Sequence, residues 1–98
     1  MPESKSSKLK SPDVVFYYGE ECPWCHKTMP FLEEAEKVTG VKVKQVEVWH
    51  NEANAKKLAA DDAGKCGGVP FMINRTSGKF ICGFAETKEI VALLQSHE

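Results

Sequence analysis

The chain has 98 residues, enough for one modest core and no second domain. Hydrophobic residues make up 42% and charged residues 28%, with 13 Lys+Arg against 14 Asp+Glu and a net charge of −1. That balance excludes a disordered chain and gives no basic footprint for nucleic acid or for an anionic membrane. No apolar run approaches the roughly 20 residues of a membrane-spanning helix.

In chain order, residues 1–12 are polar and rich in Lys and Ser, and read as a flexible tail without the apolar stretch of a secretory leader. The domain is then 13–98, and the expected location is the cytoplasm. Asp13 to Tyr18 is a β-branched and aromatic run ended by Gly19, as in a strand buried on both faces. Cys22-Pro23-Trp24-Cys25 follows and opens a helix to about Thr39. Met29, Leu32, Ala35 and Val38 form its inner face, Pro30 is a predicted kink and Gly40 the stop.

Val41 to Val48 is the second predicted strand, with a bulge near Gln45. Asn51 is the predicted cap of a helix from Glu52 to about Ala63, packed through Ala55, Leu58 and Ala59 and stopped at Gly64. Pro70–Ile73 and Lys79–Cys82 flank a five-residue turn ending in Gly78, a hairpin. Thr87 is the expected cap of a last helix using Ile90, Val91, Leu93 and Leu94. The order is β-α-β-α-β-β-α, without repeats or linkers. A right-handed β-α-β crossover makes strands one and two parallel. A closing hairpin antiparallel to strand one would bring Val69-Pro70 and Cys82-Gly83-Phe84 to the same sheet end as the C-x-x-C, where open α/β sheets place their sites.

A vicinal C-x-x-C pair closes too small a ring to staple a fold, so its chemistry is redox or metal binding. Thiolates attack disulfides, and a helix N-terminus stabilises a thiolate. Cys22 is the candidate nucleophile there. Pro23 loses no hydrogen bond at the first helical position, and Cys25, one turn on, is the candidate resolving thiol. Trp24 and Phe84 are a candidate apolar collar for a partner protein. His26 and Lys27 read as solvated helix face, with thiolate support the alternative. Glu20 and Glu21 oppose a thiolate and disfavour acidic partners. Phe16 and Tyr17 read as core, and His50 and His97 have no constellation around them.

Strand–C-P-W-C–helix, Gly68-Val69-Pro70 opening a strand and Gly83 closing the next resemble the thioredoxin/glutaredoxin superfamily from Asp13 to Ser96. The C-P-W-C and the short element order are similar to glutaredoxins. Pro30, Arg75–Lys79 and the single Gly83 are more similar to thioredoxins. The resemblance implies an α/β thioredoxin-like fold, a four-stranded mixed sheet flanked by three helices. It also implies a cis Pro70, with Val69, Pro70 and Gly83 joining Trp24 and Phe84 in binding substrate. Phe16 stands where thioredoxins keep a buried Asp, and Glu20-Glu21 where glutaredoxins keep a basic residue. Cys82-Gly83 replaces their Gly-Gly, and Glu86 is a candidate for the acid that follows it.

The implied activity is thiol–disulfide exchange on protein or glutathione mixed disulfides by a monomer, through a redox-active Cys22–Cys25 disulfide. The electron donor is glutathione or a flavoprotein reductase, and no resident cofactor or metal is required. The alternative is a zinc or iron–sulfur carrier using Cys22 and Cys25, with Cys66 and Cys82 completing four thiolates. Cys66 and Cys82 also admit two other readings: small buried hydrophobes, or a regulatory disulfide or glutathionylation site.

Overall fold

The computed structural model describes residues 12–96, so the tail assigned to 1–12, Pro12 apart, and the reading of His97 lie outside them. The elements are β1 (Val14–Tyr18), α1 (Pro23–Thr39), β2 (Lys44–Glu47), α2 (Glu52–Asp62), β3 (Phe71–Asn74), β4 (Lys79–Cys82) and α3 (Thr87–Leu94). They form one mixed sheet in the order β2-β1-β3-β4. β1 runs parallel to β2, Val15 opposite Lys44 and Tyr18 opposite Glu47. It runs antiparallel to β3, which pairs antiparallel with β4, setting Phe71 opposite Cys82.

Alternation along β1 and β3 divides the core into two layers. Val14, Phe16 and Met72 join Leu32 and Ala35 of α1 and Ile90, Leu93 and Leu94 of α3 on one face. Val15, Tyr17, Phe71 and Ile73 face the other side, where Ala55 and Leu58 of α2 pack at the margin. Phe16, Tyr17, Leu32 and Ile90 have no exposure, and burial of side chains this large is worth about 1.5–3 kcal/mol each.

Several sequence expectations change. β2 is shorter than Val41–Val48, and its register with β1 runs without a bulge. Val43 is buried just ahead of the ladder, its N–H donating to Glu36 Oε2 at 2.8 Å. α1 continues through Pro30 to a left-handed Gly40, φ 76°. Its buried stripe is Cys25, Thr28, Leu32 and Ala35, so Val38 is exposed and Met29 only half-buried. In α2 the buried residue is Asp62, whereas Ala59 is exposed. Asn51 caps α2 as expected, through Oδ1 to the N–H of Asn54 at 3.0 Å. α3 is capped at Glu86, whose N–H donates to Glu89, and Thr87 instead donates to Glu34 Oε1 at 3.0 Å. The third strand starts at Phe71, one residue after Pro70.

Tyr17 does more than fill the core. Its hydroxyl donates to Asp61 Oδ2 at 2.5 Å and accepts from Arg75 at 3.1 Å, and Arg75 forks onto Asp61 and reaches Asp13. Burial, reinforced by Asp61, pushes the Tyr17 phenol up to about 12. Arg75 and Tyr17 hold Asp61 below the usual carboxylate range against its desolvation. The network fastens the hairpin and α2 to β1.

Candidate functional site

β1 carries the chain to the sheet end where Gly19 begins a turn closed by Cys22 N–H donating to Gly19 O at 3.0 Å. Cys22 has extended backbone and caps α1. Its Sγ accepts the Cys25 N–H at 3.2 Å, one of the first-turn donors a helix leaves unpaired. Pro23 follows at the first helical position, and that turn contains no acidic residue to offset the dipole. Cys22 and Cys25 are joined as a disulfide, Cα atoms 5.2 Å apart. Cys22 keeps 4% exposure and Cys25 none, so the first sulfur is the one nearer solvent. Both belong to the apolar cluster that contains Phe16, which leaves no carboxylate at that β1 position.

Beside the pair lies a shallow groove lined by Trp24, Val69, Pro70, Gly83 and Phe84, the five residues assigned from sequence to substrate binding. The Val69–Pro70 peptide is cis. Gly83, at φ 92°, donates its N–H to Pro70 O at 2.8 Å and joins the two walls. Among the described residues no hydrogen bond engages the Val69 backbone, which leaves it open to an extended chain. Trp24 is 56% exposed and meets Phe84 edge-on at 5.7 Å, and Phe31 braces Phe84 from behind at 5.8 Å. Lys27 and His26 are exposed: the Lys27 ammonium lies over the Trp24 ring at 4.6 Å, and the His26 ring bonds the Glu20 carbonyl. Glu86 is spent capping α3.

On the other side of Cys22 the sequence reading missed a constellation. The Glu47 carboxylate accepts the N–H groups of Glu20, Trp49 and His50 at 2.8–3.1 Å. Those bonds outweigh desolvation and hold its pKa down. His50, read from sequence as isolated, bonds Glu21 at 2.7 Å, and that bond raises its pKa, with the Glu21 charge adding to it. Nothing local in the sequence marks this cluster, because its members come from the turn after β1 and from the end of β2 with the residues that follow it.

Cys66 and Cys82 are bonded to each other, Cα atoms 5.5 Å apart. The four sulfurs therefore form two pairs rather than one four-thiolate set. Cys82 is exposed and Cys66 half-buried, which corrects the reading of both as small buried hydrophobes. Asp62 explains its own burial here, accepting the N–H groups of Cys66 and Gly67, the latter at 2.7 Å.

Neither a family model nor a curated protein matches the sequence. Solved structures do match its fold. Thioredoxin-2, a component of malaria parasite protein secretion machinery, aligns at a TM-score of 0.69 and 20% identity, over 89% of this chain and 84% of that one. A glutaredoxin from Archaeoglobus fulgidus aligns at 0.61 and 18%, over 96% and 98%. A thioredoxin from Aeropyrum pernix aligns at 0.63 and 19%, over 84% and 71%. The fold is thioredoxin-like, as in these thioredoxins and this glutaredoxin. On that fold, this chain combines a Cys-Pro-Trp-Cys pair at a helix N-terminus with a single glycine after β4. No helix among the described residues is long and apolar enough to cross a membrane.

Proposed function

We propose that the protein is a thiol–disulfide oxidoreductase acting on disulfides in other proteins. The observation that carries this reading is the Cys22 sulfur at the α1 N-terminus, accepting the Cys25 N–H beside an apolar groove. In the reduced enzyme the Cys22 thiolate attacks one sulfur of a substrate disulfide, forming a mixed disulfide and expelling the other sulfur as a thiolate. Cys25 then loses its proton and attacks Cys22 Sγ. The Cys22–Cys25 bond forms, the second substrate thiol departs, and two electrons have passed to the substrate. Two external thiols return the enzyme to the dithiol.

The groove residues have separable tasks. Trp24 and Phe84 take up apolar side chains around the disulfide, and the Val69 backbone pairs with the substrate main chain. Gly83 leaves room there, since a Cβ built on it would meet nothing within 4 Å. Glutathione is the weaker of the two candidate donors. Glu20 and Glu21 stand where its carboxylates would need cations, and Gly83 lacks a second glycine beside it. A flavoprotein reductase is the favoured donor, in a reducing compartment such as the cytoplasm.

The test is reduction of insulin disulfides by the purified protein with dithiothreitol as donor, beside glutathione-driven reduction of a small glutathione mixed disulfide. Turnover of insulin with slow glutathione coupling is expected. Absence of insulin reduction would overturn the oxidoreductase reading, and fast glutathione coupling would overturn the choice of donor.

A further inference from the structure

The second disulfide lies on the groove rather than remote from it. Cys82 ends β4, opposite Phe71 in the ladder and immediately before Gly83. Cys66 is four residues before Pro70, at the start of the segment that delivers Val69. The bond therefore ties the approach to one groove wall onto the root of the other. It is the one covalent tie on that approach among the described residues. Residues 63–69 lie outside helix and strand, and Ala63, Gly64 and Gly67 adopt positive φ of 48°, 81° and 87°. The segment's other fastenings are the Asp62 carboxylate on the Cys66 and Gly67 N–H groups, the Lys65 N–H on Asp62 O, the Lys65 ammonium over the Phe80 ring and the packing of Cys66 and Val69 at the core margin. The pair is also nearer solvent than the first, since Cys82 is exposed and Cys66 half-buried while Cys22 and Cys25 are buried.

We propose that Cys66–Cys82 is a second redox-active pair, opened by a dithiol reductant, which sets how firmly the Val69 edge of the groove is held. This rests on the oxidoreductase reading for its consequence but not for its chemistry. A reductant thiolate attacks the sulfur of Cys82, the more exposed residue of the two, forming a mixed disulfide and releasing Cys66 as a thiolate that takes up a proton. The second reductant thiol, losing its proton, attacks its partner sulfur in that mixed disulfide. Cys82 leaves as a thiolate and is protonated, and the reductant departs as a disulfide. Two electrons and two protons have entered the pair. The bonded form holds Val69 ready for an extended substrate, whereas the open form must order residues 63–69 on each docking event.

The test equilibrates the full chain in mixtures of reduced and oxidised dithiothreitol and traps thiols by alkylation. Mass spectrometry then scores the Cys22/Cys25 peptide separately from those carrying Cys66 and Cys82. The expected result is a reversible Cys66–Cys82 transition with its own midpoint, and faster amide exchange across 64–69 in the open form while β1 stays protected. Compared at a dithiothreitol ratio on the bonded side of that midpoint, the Cys66→Ala/Cys82→Ala variant should show a KM for insulin about three- to tenfold above that of the unaltered chain, with little change in kcat. A pair that never forms, or that opens only when the whole domain unfolds, would overturn the proposal. So would opening without a change in amide exchange, or unchanged KM in a protein that turns insulin over. If insulin is not reduced at all, the oxidoreductase reading fails, and alkylation and amide exchange still decide the second pair.

Discussion

The Trp49 indole occupies the space a side chain at Gly19 would need: a Cβ built there would lie 2.2 Å from Trp49 Cδ2 and 2.5 Å from Cε2. The ring is 52% exposed, yet its backbone is held by Glu47, and the neighbouring Val48 N–H donates to Tyr18 O at 2.9 Å. An aromatic plate thus covers the turn that leads into Cys22. With Trp24 and Phe84, it places exposed aromatic residues on both sides of the nucleophile.

Gly19→Ala should displace that ring. Because the indole is half in solvent it can swing outward, so the cost should fall at the low end of overpacking, about 1 kcal/mol. Trp49→Ala in the same chain should relieve most of the strain. Tryptophan fluorescence with denaturant titrations of the two single variants and the double variant checks this. Strict additivity of the two single effects would show that the contact carries no energy.

Asn74 is, with Thr28, a polar residue of the core without exposure, and every polar atom of its side chain is employed. Its Nδ2 donates to Leu93 O at 2.9 Å and to the Ser96 carbonyl and hydroxyl at 3.1 Å, and its Oδ1 accepts from Thr76 and Ser77. One amide joins the hairpin to the end of α3. Asn74→Ala removes all of these bonds at once, although Leu93 O keeps the Ser96 hydroxyl and N–H, and should cost about 1–3 kcal/mol by urea unfolding. Asn74→Asp keeps the acceptor but turns two donors into charge facing carbonyls, and should be no better than Ala.

The His50–Glu21 pair makes a pH prediction with a defined sign. Glu21 raises the His50 pKa in the folded chain. The pair's contribution is therefore complete below the unfolded His value of about 6.5, and is lost as pH rises through the higher folded value. Proton NMR of the His50 ring should show a midpoint above 6.5 that falls toward it in Glu21→Gln. Both side chains are more than half exposed, so the effect on global stability should be small. An unchanged midpoint in Glu21→Gln would remove the pair from the argument.

How far these features were legible in the sequence depended on how local their causes are. The β1 run, the Gly40 stop and the Gly78 turn follow from short-range chemistry, and each appears where the residues implied. In α2, Ala59 is exposed against expectation and Asp62 is buried without a sequence signal, because that end of the helix answers to a loop's backbone donors rather than to apolar periodicity. Thr87 resembled a cap by residue type, but the Glu86–Glu89 bond took that role. The Cys66–Cys82 partnership, separated by 16 residues, needed the β3–β4 register and the path of residues 63–69 before the two Cα atoms could be known to meet.

The two cysteines of the helix turn should separate cleanly by role. Cys22 comes first, retains what exposure the pair has, and receives the Cys25 N–H and the α1 dipole, so in the reduced protein it should be alkylated first and at lower pH. Cys25 has no exposure and sits in an apolar cluster, where an anion is disfavoured. Cys22→Ser should abolish exchange with insulin, because the attacking sulfur is gone. Cys25→Ser should allow attack but not resolution, so a mixed disulfide with Cys22 accumulates. If glutathione can act as the second thiol, that variant keeps partial activity on glutathionylated substrates. Mass spectrometry of both variants after incubation with a disulfide peptide reads the outcome directly. An adduct on Cys25, Cys66 or Cys82 in place of Cys22 would reverse the assignment.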